Sequence, residues 1–358
     1  GLLNTGLVSV IDRARSLNIP LSLETLGDKK MAYAICADTP GGVEVLDWRD
    51  IPTPKPGTGE AVVHQTKVGL NYIDVYMTSG TYPFPEAGPQ IPGGEAAGIV
   101  AEIGAGVTEL SVGDRVAYTT PNGAYREERV MPTDRLVKLP NNVSDEVAAA
   151  SMLKGMTVEY LLNRSFKVKD GQKVLFHAAA GGVGLIAGQW LRHIGAESIG
   201  TVGSDEKIAQ AKAAGYTHVI NYNSSDFTEE VRALTDGKGV AVAYDSIGQD
   251  TYPHTLSCLE KFGLFVSFGQ SSGMIKNITM TDLAKNGSLY AQRPTLFNYI
   301  DTRENLNEVS SNMFRMIAEG HVKVDINQRY ALKDVPKAFK ALMARKTTGA
   351  TVFDTGRG

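Results

Sequence analysis

Short apolar stretches broken by glycine dominate residues 31 to 154. Ala61–Lys67 alternates apolar and polar positions, as a half-buried strand does. Ile99–Ile103 and Arg115–Tyr118 read as further strands, separated by Gly104, Gly106 and Gly113, and Pro52–Gly57 as a loop. This texture predicts an antiparallel, barrel-like β domain. Asp145–Ser165 then switches to helical spacing, with Ser144 placed to cap it at Val147. Beyond it, strand and helix alternate. Strands are expected at Lys173–His177, Ser198–Val202, His218–Asn221, Val240–Asp245 and Leu264–Phe268. Helices are expected at Gly184–Ile194, Asp205–Ala214 and Thr228–Thr235, with a helical turn at Pro253–Cys258. That is the rhythm of a doubly wound parallel sheet. From about Pro294 the alternation stops: helices at Leu306–Glu319 and Val335–Ala344 precede a last strand, Ala350–Phe353, expected to return to the first domain.

The fold class is therefore α/β, with a β-barrel domain beside a doubly wound parallel sheet. Three segments follow: an N-terminal extension or added remnant at 1–30, a catalytic domain from 31–154 and 294–358, and a cofactor domain from 155–293. Leu2, Leu3, Leu7, Val8 and Ile11 can line a short helix in the extension, which lacks the basic start of a secretory signal and carries Asp12, Glu24 and Asp28. At 358 residues, two domains are expected.

Composition narrows the function. Apolar types make up 42% and charged types 21%, the ordinary globular mixture, and the net charge is −3. No apolar run is long enough to span a membrane. The near-zero balance offers no basic field, so nucleic acid is not expected as a main partner. The two cysteines, Cys36 and Cys258, cannot build a disulfide framework or a four-thiolate zinc site and are read as reduced, in a cytoplasmic protein.

The 38 glycines include the strongest chemical signal. Ala179-Ala180-Gly181-Gly182-Val183-Gly184 follows an apolar strand and opens a helix, the setting a dinucleotide-binding loop requires. Glycines 181 and 182 let a pyrophosphate approach the backbone, and the helix start offers unpaired N–H groups. Gly184 permits close packing of helix on strand. About 20 residues on, enzymes that use NADH usually place an acid against the ribose hydroxyl. Here that place holds Thr201, Val202, Gly203 and Ser204, with Lys207 one turn later and Tyr222 after the next strand. A 2′-phosphate meets no repulsion there, so NADPH is expected over NADH. Asp205 and Glu206 are expected to face solvent.

The segments Val68–Asp74, Gly93–Gly98, Gly113–Val116, Ala149–Thr157, His177–Gly184, Tyr244–Gly248, Val266–Gly273 and Arg293–Leu296 resemble the zinc-free quinone oxidoreductases of the medium-chain dehydrogenase/reductase superfamily. The resemblance covers about nine tenths of the chain. It implies a GroES-like β domain, a Rossmann domain and a homodimer, for which Leu264–Leu296 is the expected edge. It also implies where a cofactor would be touched. Asn71, Tyr82 and Thr157 fall near the nicotinamide, and Gly182 and Val183 at the pyrophosphate. Gly203, Ser204, Lys207 and Tyr222 surround the adenosine phosphate, while Ser246, Phe268, Gly269, Ser271 and Ser272 line the nicotinamide-ribose side. Arg293 and Arg345 sit where the family reaches in from the interdomain cleft.

Zinc enzymes of the same superfamily hold their metal with Cys, a Gly-His-Glu motif and a further Cys. In this chain those first places hold Asn71 and Gly93-Gly94-Glu95, so thiolate and imidazole ligands are missing and no metal is expected. Glu95 is read as a buried, hydrogen-bonded carboxylate and His177 as a structural histidine. Without a Lewis acid, the expected acceptor is already electrophilic, and a small quinone fits. The protein then contributes orientation and exclusion of water. Tyr72 or Tyr82 is placed to give a proton to the developing oxyanion, alongside Asn71 at the catalytic end. Reduction of an enone, 2-alkenal or enoyl thioester is the alternative, and a ζ-crystallin-like RNA-binding or structural role a more distant one.

Overall fold

The computed structural model describes residues 30–85 and 87–357. The extension and its helix at residues 2–11 therefore lie outside the described residues, apart from Lys30, which opens the first strand. Strands β1 (Lys30–Cys36) and β2 (Asp47–Thr53) pair antiparallel as a ribbon, so Pro52 and Thr53 belong to a strand rather than to the expected loop. Strand β3 (Glu60–Gly69) leads into helix α1 (Tyr72–Ser79), and β4 (Glu95–Ile103), β5 (Arg115–Thr119), β6 (Glu128–Pro132) and β7 (Val137–Lys138) follow.

The expected helix over 145–165 is interrupted. Helix α2 (Asp145–Ala149), capped by the Ser144 hydroxyl accepting from Val147 N–H, ends at Ala150. Helix α3 (Met152–Tyr160) starts after Ser151, and a π-turn over Leu161–Ser165 closes the run. The break releases the Leu153 N–H for a partner outside the helix, which becomes important at the site.

The alternating half is as the apolar pattern predicts. Strand β8 (Lys173–Phe176) leads through the glycine loop into α4 (Gly182–Ile194). Then come β9 (Glu197–Val202), α5 (Ile208–Ala213), β10 (His218–Asn221), α6 (Phe227–Leu234), β11 (Val240–Asp245), α7 (Tyr252–Leu256), β12 (Leu259–Ser267), α8 (Met280–Lys285) and β13 (Tyr290–Gln292). The six strands run parallel in the order β10-β9-β8-β11-β12-β13. The order reverses between β8 and β11, so a crevice opens at their carboxyl ends. Strand β12 begins five residues before the expected Leu264, because exposed Glu260, Lys261 and Phe262 carry no buried-strand signal.

Helices α9 (Leu296–Tyr299) and α10 (Arg303–Ala318) follow. Leu306, Val309 and Met313 of α10 share a core with Met156 of α3, Leu185 of α4 and Phe176 of β8. Strand β14 (Ile326–Ala331), helix α11 (Val335–Met343) and strand β15 (Ala350–Asp354) return to the first sheet, ordered β14-β15-β3-β4-β5-β7, with β6 also on β3; it is antiparallel, as expected, except that edge strand β14 lies parallel to β15. A second core forms there, from Val63, Val68, Ala96, Tyr118, Tyr125, Phe339 and Phe353. The crevice of the parallel sheet thus faces α1 and the β3–β4 end of the antiparallel sheet.

Candidate active site

A cleft of about 780 Å³ runs along that crevice. Its middle is the glycine loop. Gly181 caps α4 with no side chain accepting from the first turn, so the helix start presents its N–H groups to the cleft. A Cβ on Gly184 would stand 2.2 Å from the Ala178 carbonyl oxygen, so this position requires glycine for the helix to approach the strand. Gly349 N–H donates to Ala180 O (3.1 Å), bringing the chain's C-terminal segment over the loop.

One end of the cleft is cationic. Arg345 Nη1 donates to Tyr222 Oη (3.0 Å), and Lys207 Nζ donates to the Arg345 carbonyl (3.1 Å). Burial, then the charge of Arg345, pulls the Lys207 ammonium below its usual value. Neither cation pairs with a carboxylate among the described residues, and exposed Asp205 is occupied by Asn221 Nδ2 (2.8 Å). Gly203 and Ser204 complete this end, with Asn223 Nδ2 donating to Gly203 O (2.8 Å). Two cations and a phenol gathered without an acid suit a phosphate.

The other end is aromatic. Tyr72 and Tyr76 of α1 stack at a tilt, 5.5 Å between ring centroids, with Tyr82, Tyr160 and Arg293 around them. Burial raises the Tyr76 and Tyr160 phenols, opposed by the charge of Arg293. Burial also raises Tyr72, opposed by Arg345. The Tyr76 hydroxyl is buried without a hydrogen-bond partner. Thr157 lines this wall, its hydroxyl donating to Leu153 O (2.6 Å).

Beneath lies a charged network. Glu95, fully buried, accepts from Lys154 Nζ, from Asn71 Nδ2 (3.0 Å) and from Leu153 N–H (2.6 Å). Gly69 makes room: a Cβ there would lie 2.5 Å from Glu95 Oε1. Asp74 accepts from Asn71 N–H (2.9 Å) and from Tyr125 Oη (2.5 Å), and its Oδ1 has no partner. Burial, opposed by those hydrogen bonds, lifts the Asp74 carboxyl to about 7.

The structure brings together Asn71, Tyr72, Tyr82, Thr157, Gly181, Gly182, Val183, Gly203, Ser204, Lys207 and Tyr222. Ser246, Phe268, Gly269, Ser271, Arg293 and Arg345 join them on the same cleft. Ser272 stands outside it, its hydroxyl donating to Ile247 O (2.7 Å) and accepting from Asp250 N–H (3.0 Å). The two arginines separate: Arg345 joins the Lys207–Tyr222 cluster, and Arg293 the tyrosines. His177 is engaged at both ring nitrogens, by Thr201 Oγ1 (2.7 Å) and Thr255 Oγ1 (2.9 Å), and burial lowers its pKa. His64 faces Glu128 (3.2 Å). Cys36 and Cys258 are free thiols that burial pushes up to about 11 and about 12. Sequence reasoning missed Tyr76, Tyr160, Asn223 and Lys154. The last was signalled: a lysine within an otherwise apolar helix start needs a buried anion.

The residues do not suit zinc. Asn71 and Lys154 both turn donor nitrogens toward Glu95, and a metal needs lone pairs. Among the described residues no group of three or more His, Cys, Asp or Glu could hold a metal ion. They do suit a dinucleotide phosphate, as the glycine loop and the acid-free cationic cluster show.

Comparison with known proteins agrees with this layout. Residues 57–141 match the alcohol dehydrogenase GroES-like domain, and residues 182–311 the domain described as zinc-binding dehydrogenase. A quinone oxidoreductase of Pseudomonas aeruginosa is 46% identical over 314 residues, 87% of this chain and 96% of that protein. A 2-haloacrylate reductase of a Burkholderia species is 40% identical over 329 residues, 90% of this chain and 99% of that protein. The Escherichia coli quinone oxidoreductase, solved in complex with NADPH, superposes with a TM-score of 0.88 at 44% identity, covering 90% of this chain and all of that one. With the paired sheets, the glycine loop and the altered metal place all in agreement, the chain belongs to the quinone oxidoreductases of the medium-chain dehydrogenase/reductase superfamily.

Proposed function

We propose that this chain is an NADPH-dependent reductase of small quinones that works without a metal. The observation that carries the reading is the acid-free cluster of Lys207, Tyr222 and Arg345 at one end of a cleft whose other end is lined by Asn71, Tyr72, Tyr76 and Tyr82. When bound, NADPH supplies the hydride. Lys207, Tyr222, Arg345, Gly203 and Ser204 hold the adenosine phosphate. Gly181, Gly182 and Val183 present backbone N–H groups to the pyrophosphate. Ser246, Phe268, Gly269 and Ser271 bound the ribose side, with Thr157 and Asn71 at the reacting ring. The aromatic wall excludes water and orients a flat acceptor. Tyr72 and Tyr82 carry phenolic protons at the acceptor end, and the unpartnered hydroxyl of Tyr76 offers one more donor.

Residues 31–154 with 294–358 form the catalytic domain in this reading and 155–293 the cofactor domain. The protein works in the cytoplasm as a homodimer. The open edge strand β13, with Tyr290 65% and nearby Met280 82% exposed, supports that pairing. No helix among the described residues is long and apolar enough to cross a membrane.

The 2-haloacrylate reductase relative favours a second reading, reduction of an activated carbon–carbon double bond. Steady-state NADPH oxidation with benzoquinone and naphthoquinone against 2-alkenals and 2-haloacrylate separates them; turnover with the alkenes alone overturns the quinone reading. Lys207→Ala should raise the Michaelis constant for NADPH about tenfold or more while leaving that for NADH within about twofold. Equal effects on both would remove the phosphate role.

A further inference from the structure

Glu95, in the altered metal motif, is paired with a buried cation supplied by the chain itself. Lys154 is 4% exposed and its ammonium rests on Glu95, which is wholly buried. A carboxylate can only accept, so each group around Glu95 must turn a donor toward it. Asn71 therefore presents its amide nitrogen to Glu95, and its Oδ1, turned to the Asp74 backbone N–H in the capping box of α1, keeps a second lone pair for another donor. The backbone at Asn71 is pinned as well, its N–H donating to Asp74.

The Lys154 stem reaches the other half of the molecule. Its Cδ and Cε lie 2.9 and 3.0 Å from where a Cβ on Gly182 would stand, against the first residue of α4. One buried pair thus joins β4, α1 and α3 to the phosphate loop.

We infer that Lys154 and Glu95 are positioning residues: together they fix the Asn71 carboxamide so that its oxygen accepts from an O–H or N–H on the nicotinamide half of the bound cofactor. The inference rests on the NADPH reading of the cleft. It adds that the pair acts on the reaction through Asn71 and not merely on stability.

The test is a double-mutant cycle in the full chain, reading turnover at saturating NADPH and naphthoquinone. Glu95→Gln should lower kcat roughly tenfold or more, as misplacement of a reacting group does. In the Asn71→Ala background the same change should cost less than about twofold, because the group it positions is gone. Lys154→Arg, which keeps charge and donors, should retain most of the activity, whereas Lys154→Met should behave as Glu95→Gln. Adenosine 2′,5′-bisphosphate, which probes only the phosphate end, should bind every variant as it binds the unaltered chain. Should Glu95→Gln fail to fold, the neutral pair Glu95→Gln with Lys154→Met takes its place in the cycle. Costs that multiply across the cycle, or a loss seen only in thermal stability, would overturn the inference while leaving the cofactor reading intact. Failure of the unaltered chain to bind NADPH would overturn both.

Discussion

Arg345 joins a backbone cost to the phosphate-binding role proposed for it, and the two can be separated by substitution. Helix α11 ends in a tight cap in which Arg345 N–H donates to Leu342 O (3.0 Å) and Lys346 N–H to Ala341 O (3.1 Å). Arg345 occupies the left-handed position of that cap, with φ of 56°, where glycine is the usual residue. A side chain in this conformation costs on the order of 1–2 kcal/mol. Glycine would relieve that cost but lose about 0.5–1 kcal/mol to its freer unfolded chain. Arg345→Gly should therefore be more stable than Arg345→Ala by roughly 1 kcal/mol, although both lack the guanidinium. Both should lose the same cofactor contact. A hydrogen bond to a charged group is worth about 1.5–3 kcal/mol, so NADPH should bind roughly ten- to a hundredfold more weakly. NADH should bind within about twofold of the parent. Denaturant unfolding of the cofactor-free variants reads the first difference, and fluorescence titration with each nucleotide the second. Equal stability of the alanine and glycine variants would refute the strain argument. Matching losses for NADH and NADPH would refute the assignment of Arg345 to the phosphate.

Tyr76→Phe should raise the quinone Michaelis constant severalfold and leave NADPH binding and thermal stability unchanged, since the hydroxyl removed has no partner in the fold; a clear loss of stability would contradict this. Asp74 ionises near 7 when folded, above its ordinary 3.8, so its folded form binds more protons than the unfolded chain between those values. Its favourable contribution is complete below the lower value and is lost as the pH rises through about 7. Asp74→Asn should therefore gain on the parent in melting temperature from about pH 5 to about pH 8, and parallel curves would refute the shift. Gly184→Ala should abolish NADPH uptake and destabilise by about 1–3 kcal/mol, because its Cβ meets backbone at 2.2 Å. Gly182→Ala, whose Cβ would press on the buried Lys154 stem at 2.9 Å and meet the Gly349 carbonyl oxygen only at 3.3 Å, should destabilise less than Gly184→Ala, and thermal melts compare the two.

The parallel sheet was legible because its central strands are buried on both faces. Every residue of β11 is buried, and such strands read as continuous apolar runs. Elements half in water left weaker traces. Strand β14 alternates intermediate and exposed positions along Ile326–Ala331, most of them polar, and α1 buries only Asp74, Met77 and Thr78. The phosphate end was readable for a local reason: glycines and a missing acid are features of short segments. Ser272 fell one residue outside the cleft because the loop after β12 turns between Ser271 and Gly273, which no spacing rule reports.

The Glu95–Lys154 pair lay beyond local pattern, its members 59 positions apart, yet charge accounting leads to it. A buried lysine demands an anion that is itself removed from water. Five carboxylates are buried among the described residues: Asp74, Glu95, Glu128, Glu159 and Asp245. Glu159 is taken by Arg164 (2.9 Å), and Glu128 by Arg357. Asp245 accepts from Thr251 (2.6 Å) and Thr255 (3.1 Å), and Asp74 is held by Tyr125. Glu95 remains, and it pairs with Lys154. Buried beside the cleft, Glu95 requires a resident positive charge, and Lys154 from the first turn of α3 provides it.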